Sequence, residues 1–132
     1  MSQENIKIVQ KAYSDFKNGN IEGILNSLTE DIEWELPSIP NVPFSGKRTG
    51  RTRVGQFFVT LAECQDNLSF EPREFVADGE KVVSLGNYRW RVKSTGKTFE
   101  CAFAHVFTIR NGKVTKFLEY TDTAAAASAY QS

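Results

Sequence analysis

The chain opens on a helical repeat. Ile6, Val9, Tyr13 and Phe16 recur every three or four residues, so they share one face of a helix. Gly19 suits the left-handed conformation that closes such a helix, and Asn20 can cap a second one. Ile21, Ile24, Leu25 and Leu28 form the inward face of that second, short helix. From Asp31 to Pro37 the period drops to two. Ile32, Trp34 and Leu36 point one way, and Glu33 and Glu35 the other, which predicts a half-buried strand. Pro37, Pro40 and Pro43 then exclude regular structure until Gly46. This loop is either the rim of a cavity or a plain connection. A third helix is predicted over roughly Thr52 to Cys64, with Val54, Phe57, Phe58 and Leu61 inward.

From Asn67 onward the pattern predicts four strands. Asp78-Gly79, Thr95-Gly96 and Asn111-Gly112 sit where hairpin turns need positive φ. Helices followed by such strands predict an α+β fold: one domain over residues 1–132, with the strands curved into a cup.

Counting outward from the last two turns as two-residue loops gives cross-strand rows. Trp90 lies opposite Cys101 and then Asp122, Tyr88 opposite Phe103 and Tyr120, and Gly86 opposite His105 and Leu118. Phe99, Phe107 and Ile109 join that face. It is aromatic, with one carboxylate (Asp122) and one imidazole (His105) set into it. Ala102, Ala104 and Val106 occupy the opposite face. A bulge near Lys113 would reverse the last strand and bring Phe117 and Glu119 to the His105 side. Glu119 therefore stands beside Asp122 as a candidate. Asp122, followed by Thr123 and four alanines, also has the sequence of a helix N-cap. A cavity in this cup would be lined by Tyr13, Trp34, Leu36, Phe58, Tyr88, Trp90, Cys101, Phe103 and Tyr120.

Charge removes several function classes. Sixteen basic residues balance sixteen acidic ones, which leaves no footprint for nucleic acid or an anionic membrane. Lys47, Arg48, Arg51 and Arg53 cluster locally, as the solvated start of a helix does. Cys64 and Cys101 have no C-x-x-C spacing, and there is one histidine, so neither a metal nor a cofactor is indicated. Two thiols and a polar N-terminal stretch predict a reducing, cytoplasmic setting.

Four pieces of the chain carry a family resemblance: Asn18-Gly19-Asn20, Asp31-Ile32-Glu33-Trp34, Phe44-Ser45-Gly46 with Gly50, and Asn111-Gly112-Lys113-Val114 through Asp122. In this order they resemble the nuclear transport factor 2-like fold, a cystatin-like α+β barrel, and the resemblance implies a cone-shaped, curved, mixed or antiparallel sheet wrapped on the N-terminal helices. Within it, the chain is similar to SnoaL-like and ketosteroid-isomerase-related proteins. In SnoaL-like cyclases, an aspartate at this distance after the Gly-Lys turn is the acid/base, which maps onto Asp122. Ketosteroid isomerases use a tyrosine on the first helix, an aspartate base on the first strand and a protonated acid on a later strand. Those positions fall on Ala12 (one step from Tyr13), on Leu36, and at or next to His105. With leucine at the base position, the resemblance does not imply steroid isomerisation. It does imply a homodimer packed sheet against sheet through Ala102, Ala104 and Val106.

The expectation is a dimeric cup that binds a small apolar molecule. If catalytic, it would act as a general acid/base isomerase or cyclase next to a carbonyl, with Asp122 as base and His105 donating to or orienting the enolate. The alternative is a non-catalytic ligand-binding or interaction domain, in which Asp122 caps and His105 packs.

Overall fold

The computed structural model describes residues 2–132, with side chains from residue 3 onward. The helical repeat forms α1 (Ser2–Lys17), and α2 (Ile21–Asn26) follows with Asn20 at its N-cap, the Asn20 side chain accepting from the Gly23 amide. The second helix is shorter than predicted. Ser27 closes it, and Leu28 opens β1 (Leu28–Glu35) instead of completing the helical face.

After the proline-rich loop come β2 (Lys47–Thr49), α3 (Arg51–Cys64), β3 (Gln65–Asp78), β4 (Lys81–Val92), β5 (Thr98–Arg110), β6 (Lys113–Thr121) and α4 (Thr123–Tyr130). The short β2 had no alternation long enough to be read. Arg48 and Arg51 are less solvated than expected. Arg48 donates to the carbonyls of Phe44 and Ser45, and Arg51 to that of Leu28, which ties the loop and α3 to the sheet.

Among the described residues the strands form one sheet, in the order β2-β1-β6-β5-β4-β3. Its pairs are antiparallel except β1 with β6, which run parallel. The sheet is curved but does not close into a barrel, since β2 and β3 remain as edges. The α+β class therefore holds, with a mixed sheet. The core lies between the concave face and helices α1 and α3. There Val9, Ile32, Val54 and Val82 are fully buried.

Two features depart from the simple strand register. The β4–β5 connection is a four-residue loop, Lys93 to Gly96, so Trp90 pairs with Phe99 and Tyr88 with Cys101. A shift of two residues keeps every side chain on its predicted face. The second departure flips faces. A bulge in β6 breaks the ladder between Thr108 and Ile109, so Thr108 pairs with Lys116 but Ile109 with Val114. Beyond it Phe117, Glu119 and Thr121 turn inward, and Leu118 and Tyr120 turn outward. The predicted rows through Leu118, Tyr120 and Asp122 are thereby replaced by Val82–Phe107–Phe117, Ser84–His105–Glu119 and Gly86–Phe103–Thr121. No helix among the described residues is long and apolar enough to cross a membrane.

Candidate functional site

The concave face holds a cavity of about 100 Å³. Helix α1 contributes Ala12, Tyr13 and Phe16, and α3 contributes Phe57, Phe58 and Leu61. Trp34 and Leu36 come from β1 and the residue after it. Phe70, Tyr88, Trp90, His105, Phe107, Phe117 and Glu119 come from the other strands. A second lobe of about 70 Å³ adjoins it and shares Leu36, Phe57, Leu61, Tyr88, Trp90 and Glu119. Its remaining wall includes Pro37, Ile39, Val42 and Phe44, with Ala126 from α4. The proline-rich loop is thus a cavity wall, which resolves its two readings.

Within this apolar wall one polar chain stands out. The Tyr13 hydroxyl lies 2.8 Å from His105 Nδ1, and His105 Nε2 lies 2.8 Å from Glu119 Oε2. The side chains of His105 and Glu119 are only 7 % and 11 % exposed. Facing an ionised Glu119, which can only accept, Nε2 would carry the ring hydrogen. In the neutral ring Nδ1 then accepts from the Tyr13 phenol. Burial pushes the Tyr13 hydroxyl well above the ordinary phenol range, so Tyr13 serves as a donor and not as a phenolate. The nearby Ser84 hydroxyl acts against that shift without reaching hydrogen-bond geometry. Phe103 stacks on the imidazole at 4.3 Å, and Phe70 stacks on Phe103 at 5.3 Å. Stacking and the two polar contacts together fix the ring in its plane.

Tyr88 sits beside Glu119 with its phenol also held far up, first by burial and then by the Glu119 charge. Its hydroxyl donates to Thr121 Oγ1 at 2.9 Å, and Thr121 donates to the Ala102 carbonyl.

Asp122 is not at this site. Its carboxylate accepts from the Ala125 amide at 3.0 Å and caps α4, and the residue is exposed. The expectation that Asp122 opens onto the cavity is corrected. The β6 bulge spends one residue and puts Glu119 where the simple count had put a neighbour. Tyr120, expected in the lining, is 57 % exposed on the outer face. Cys101 and Phe103 are buried on the concave face but are not among the lining residues of either lobe. Cys101 sits 3.4 Å from Thr121 Oγ1, and burial raises its thiol pKa. Tyr13, Trp34, Leu36, Phe58, Tyr88 and Trp90 are among the residues that line the cavity. Phe16, Phe57 and Leu61 were not singled out for it, although their inward helix faces were legible. Phe70 was hidden because β3 is bulged twice and does not alternate cleanly.

A family profile described as a SnoaL-like domain matches residues 9–117. Among solved structures, a nuclear transport factor 2-like protein of Burkholderia xenovorans is 37 % identical, covers 99 % of this chain and 98 % of its own, and superposes with a TM-score of 0.90. One from Burkholderia pseudomallei, of unknown function, is 26 % identical over all of both chains with a TM-score of 0.88. TerC, crystallised with polyporic acid, is 28 % identical, covers 98 % of this chain and 99 % of its own, and has a TM-score of 0.85. No curated protein sequence matches significantly. With most of its length matched by the profile and a relative this similar along the whole fold, the chain belongs to the SnoaL-like family of nuclear transport factor 2-like proteins.

Proposed function

We propose that this protein binds a small, mostly apolar carbonyl compound in the concave cavity and catalyses an isomerisation or cyclisation there by general acid/base chemistry. Glu119 is the base in this reading. It takes a proton from the carbon next to the carbonyl and returns it to another atom of the same molecule, so no co-reactant is consumed. The observation that carries the reading is the Tyr13–His105–Glu119 chain, which ends on a carboxylate at the wall of an otherwise aromatic cavity. His105 spends both ring nitrogens inside this chain. It is a positioning residue for Glu119 and not a direct donor to the ligand. TerC, crystallised with polyporic acid, supports a small-molecule role for the cavity.

The test begins with a screen of small carbonyl compounds read by tryptophan fluorescence, since Trp34 and Trp90 both line the cavity. For a substrate so found, Glu119→Gln should lower turnover by about 10²–10⁴-fold while affinity stays nearly constant. Full turnover in Glu119→Gln would reject Glu119 as the base. A second reading, binding without catalysis, is favoured by the small cavity and the mutual satisfaction of the three polar groups. Tight binding with no turnover of any bound carbonyl compound would select it.

A further inference from the structure

The smaller lobe, walled by the proline-rich loop, holds a polar side chain that the Tyr13–His105–Glu119 chain does not use. Gln65 is 4 % exposed and lines this lobe among Val42, Phe44, Leu61 and Phe99. Its Oε1 accepts from the Tyr130 hydroxyl at 2.6 Å, which ties α4 to the start of β3. Burial holds the Tyr130 phenol above its ordinary range, so it stays a donor. The amide therefore keeps its oxygen toward Tyr130, and its NH2 is the free end. Among the described residues that NH2 donates to nothing. Nor is it sealed: the buried polar atoms that are both unpartnered and closed off from water are Trp34 Nε1 and Ser84 Oγ. The little surface that Gln65 keeps thus includes its donor, and the lobe is what borders it. An anchor for Tyr130 needs only the oxygen. A buried amide with a spare, reachable N–H pair is costly unless something accepts from it.

The surrounding groups narrow what accepts. The hydroxyls of this lobe are spent inside the protein. Ser45 donates to the Ile39 and Val42 carbonyls, Tyr88 to Thr121, and Thr121 to the Ala102 carbonyl. Trp90 borders both lobes, and its Nε1 is likewise neither bonded within the described residues nor sealed. The open groups are donors, so the ligand supplies an acceptor. No lysine or arginine lines either lobe, and the Glu119 carboxylate borders both. An anionic acceptor would enter against that charge with nothing to neutralise it. The acceptor is therefore a neutral oxygen. Because Glu119 is shared, it stands where the lobes meet. A ligand with its carbonyl in the smaller lobe and an apolar arm in the aromatic one brings the carbon between them to Glu119.

We infer that the smaller lobe is the acceptor subsite of this cavity, that Gln65 Nε2 is the donor that reads it, and that the ligand is a neutral carbonyl compound with an apolar arm, as in R–CH2–C(=O)–R′. This rests on the proposed function for the carbonyl itself, and it is tested separately.

The experiment pairs methyl pentyl ketone with hexanoate, which share a shape and differ in a methyl group against a charged oxygen. Both are titrated into ¹⁵N-labelled protein, with the side-chain NH2 of Gln65 followed after independent assignment. The ketone should move one of those protons downfield, as a new hydrogen bond does. Hexanoate should bind at least about tenfold more weakly. Gln65→Leu should weaken the ketone about tenfold, the worth of one such bond. Tyr130→Phe removes the α4 anchor but keeps the donor, and should leave ketone affinity nearly unchanged. The wild-type amide resonance decides the matter if Gln65→Leu does not fold. Ketone binding with an unmoved Gln65 NH2 would overturn the Gln65 assignment and leave the cavity reading standing. So would an equal loss of affinity in Gln65→Leu and Tyr130→Phe, which would mean that Gln65 acts only through α4. Hexanoate binding as tightly as the ketone would overturn the neutral ligand class. Failure of both probes to bind would remove the subsite together with the cavity reading.

Discussion

Glu119 and Asp122 are three residues apart and chemically alike, yet the structure gives them unrelated surroundings. Asp122 holds the first turn of α4. Asp122→Ala should cost about 1 kcal/mol, the usual worth of an N-cap, measured by urea unfolding. It should leave any turnover intact, which is the opposite of the pattern expected for Glu119→Gln. Loss of turnover in a folded Asp122→Ala protein would return Asp122 to the chemistry. Tyr13 is the deeper anchor. Tyr13→Phe strips the buried His105 Nδ1 of its partner and should cost roughly 1–3 kcal/mol, again by urea unfolding. Stability equal to wild type would mean that the imidazole finds another partner. Both candidates were visible from strand spacing, and so was the capping alternative for Asp122. The choice between them was not. It turned on a single extra residue in β6, and nothing local in Lys113-Val114-Thr115-Lys116 announces a bulge.

At the scale of elements, the turns and alternations were legible because they have local causes. Asn111, with φ of 52°, and Gly112, at 77°, adopt the left-handed backbone their turn needs. The β5 alternation from Cys101 to Ile109 is buried inward and partly open outward throughout. The β4–β5 register was misread because Thr95-Gly96 is only the end of a longer loop, but the error of two left the faces correct. The parallel β1–β6 pairing joins distant segments and has no local signature.

Gly86 shows how the bulges and the site are joined. A Cβ there would strike the Glu71 carbonyl, come within 2.7 Å of Phe103 Cζ and lie 2.8 Å from Pro72 Cα. The bare backbone lets β3 fold in beside its Pro72 bulge and lets the Phe103 ring cover the gap. That ring is the one stacked on His105. Gly86→Ala should therefore destabilise by about 1–3 kcal/mol through overpacking and perturb the His105 ring resonances. An unchanged unfolding midpoint would show that the strands yield to the methyl without cost.

The β6 bulge has a second consequence at the scale of the whole molecule. Turning Glu119 inward turns Leu118 and Tyr120 outward. On the convex face, Val76, Val83, Val106 and Leu118 line up across four strands, and Leu85, Ala104 and Tyr120 form the adjoining row. Val76 is 58 % exposed and Tyr120 57 %, large values for such side chains on one contiguous surface. The face named from sequence by Ala102, Ala104 and Val106 is thus wider and more aromatic than the straight register implied. An apolar patch of this kind is characteristic of an association surface, and the small residues at its centre would let a second sheet approach closely. We propose that two copies pack through it, burying on the order of 1,000 Å² or more. Light scattering at micromolar concentration should then give twice the 14.9 kDa chain mass. Tyr120→Glu should yield a monomer with an unchanged far-ultraviolet spectrum, since the side chain carries no fold contact on the concave side. A wild-type protein of monomer mass would eliminate the dimer. A dimer that survives Tyr120→Glu together with Val106→Glu would place the interface on another face.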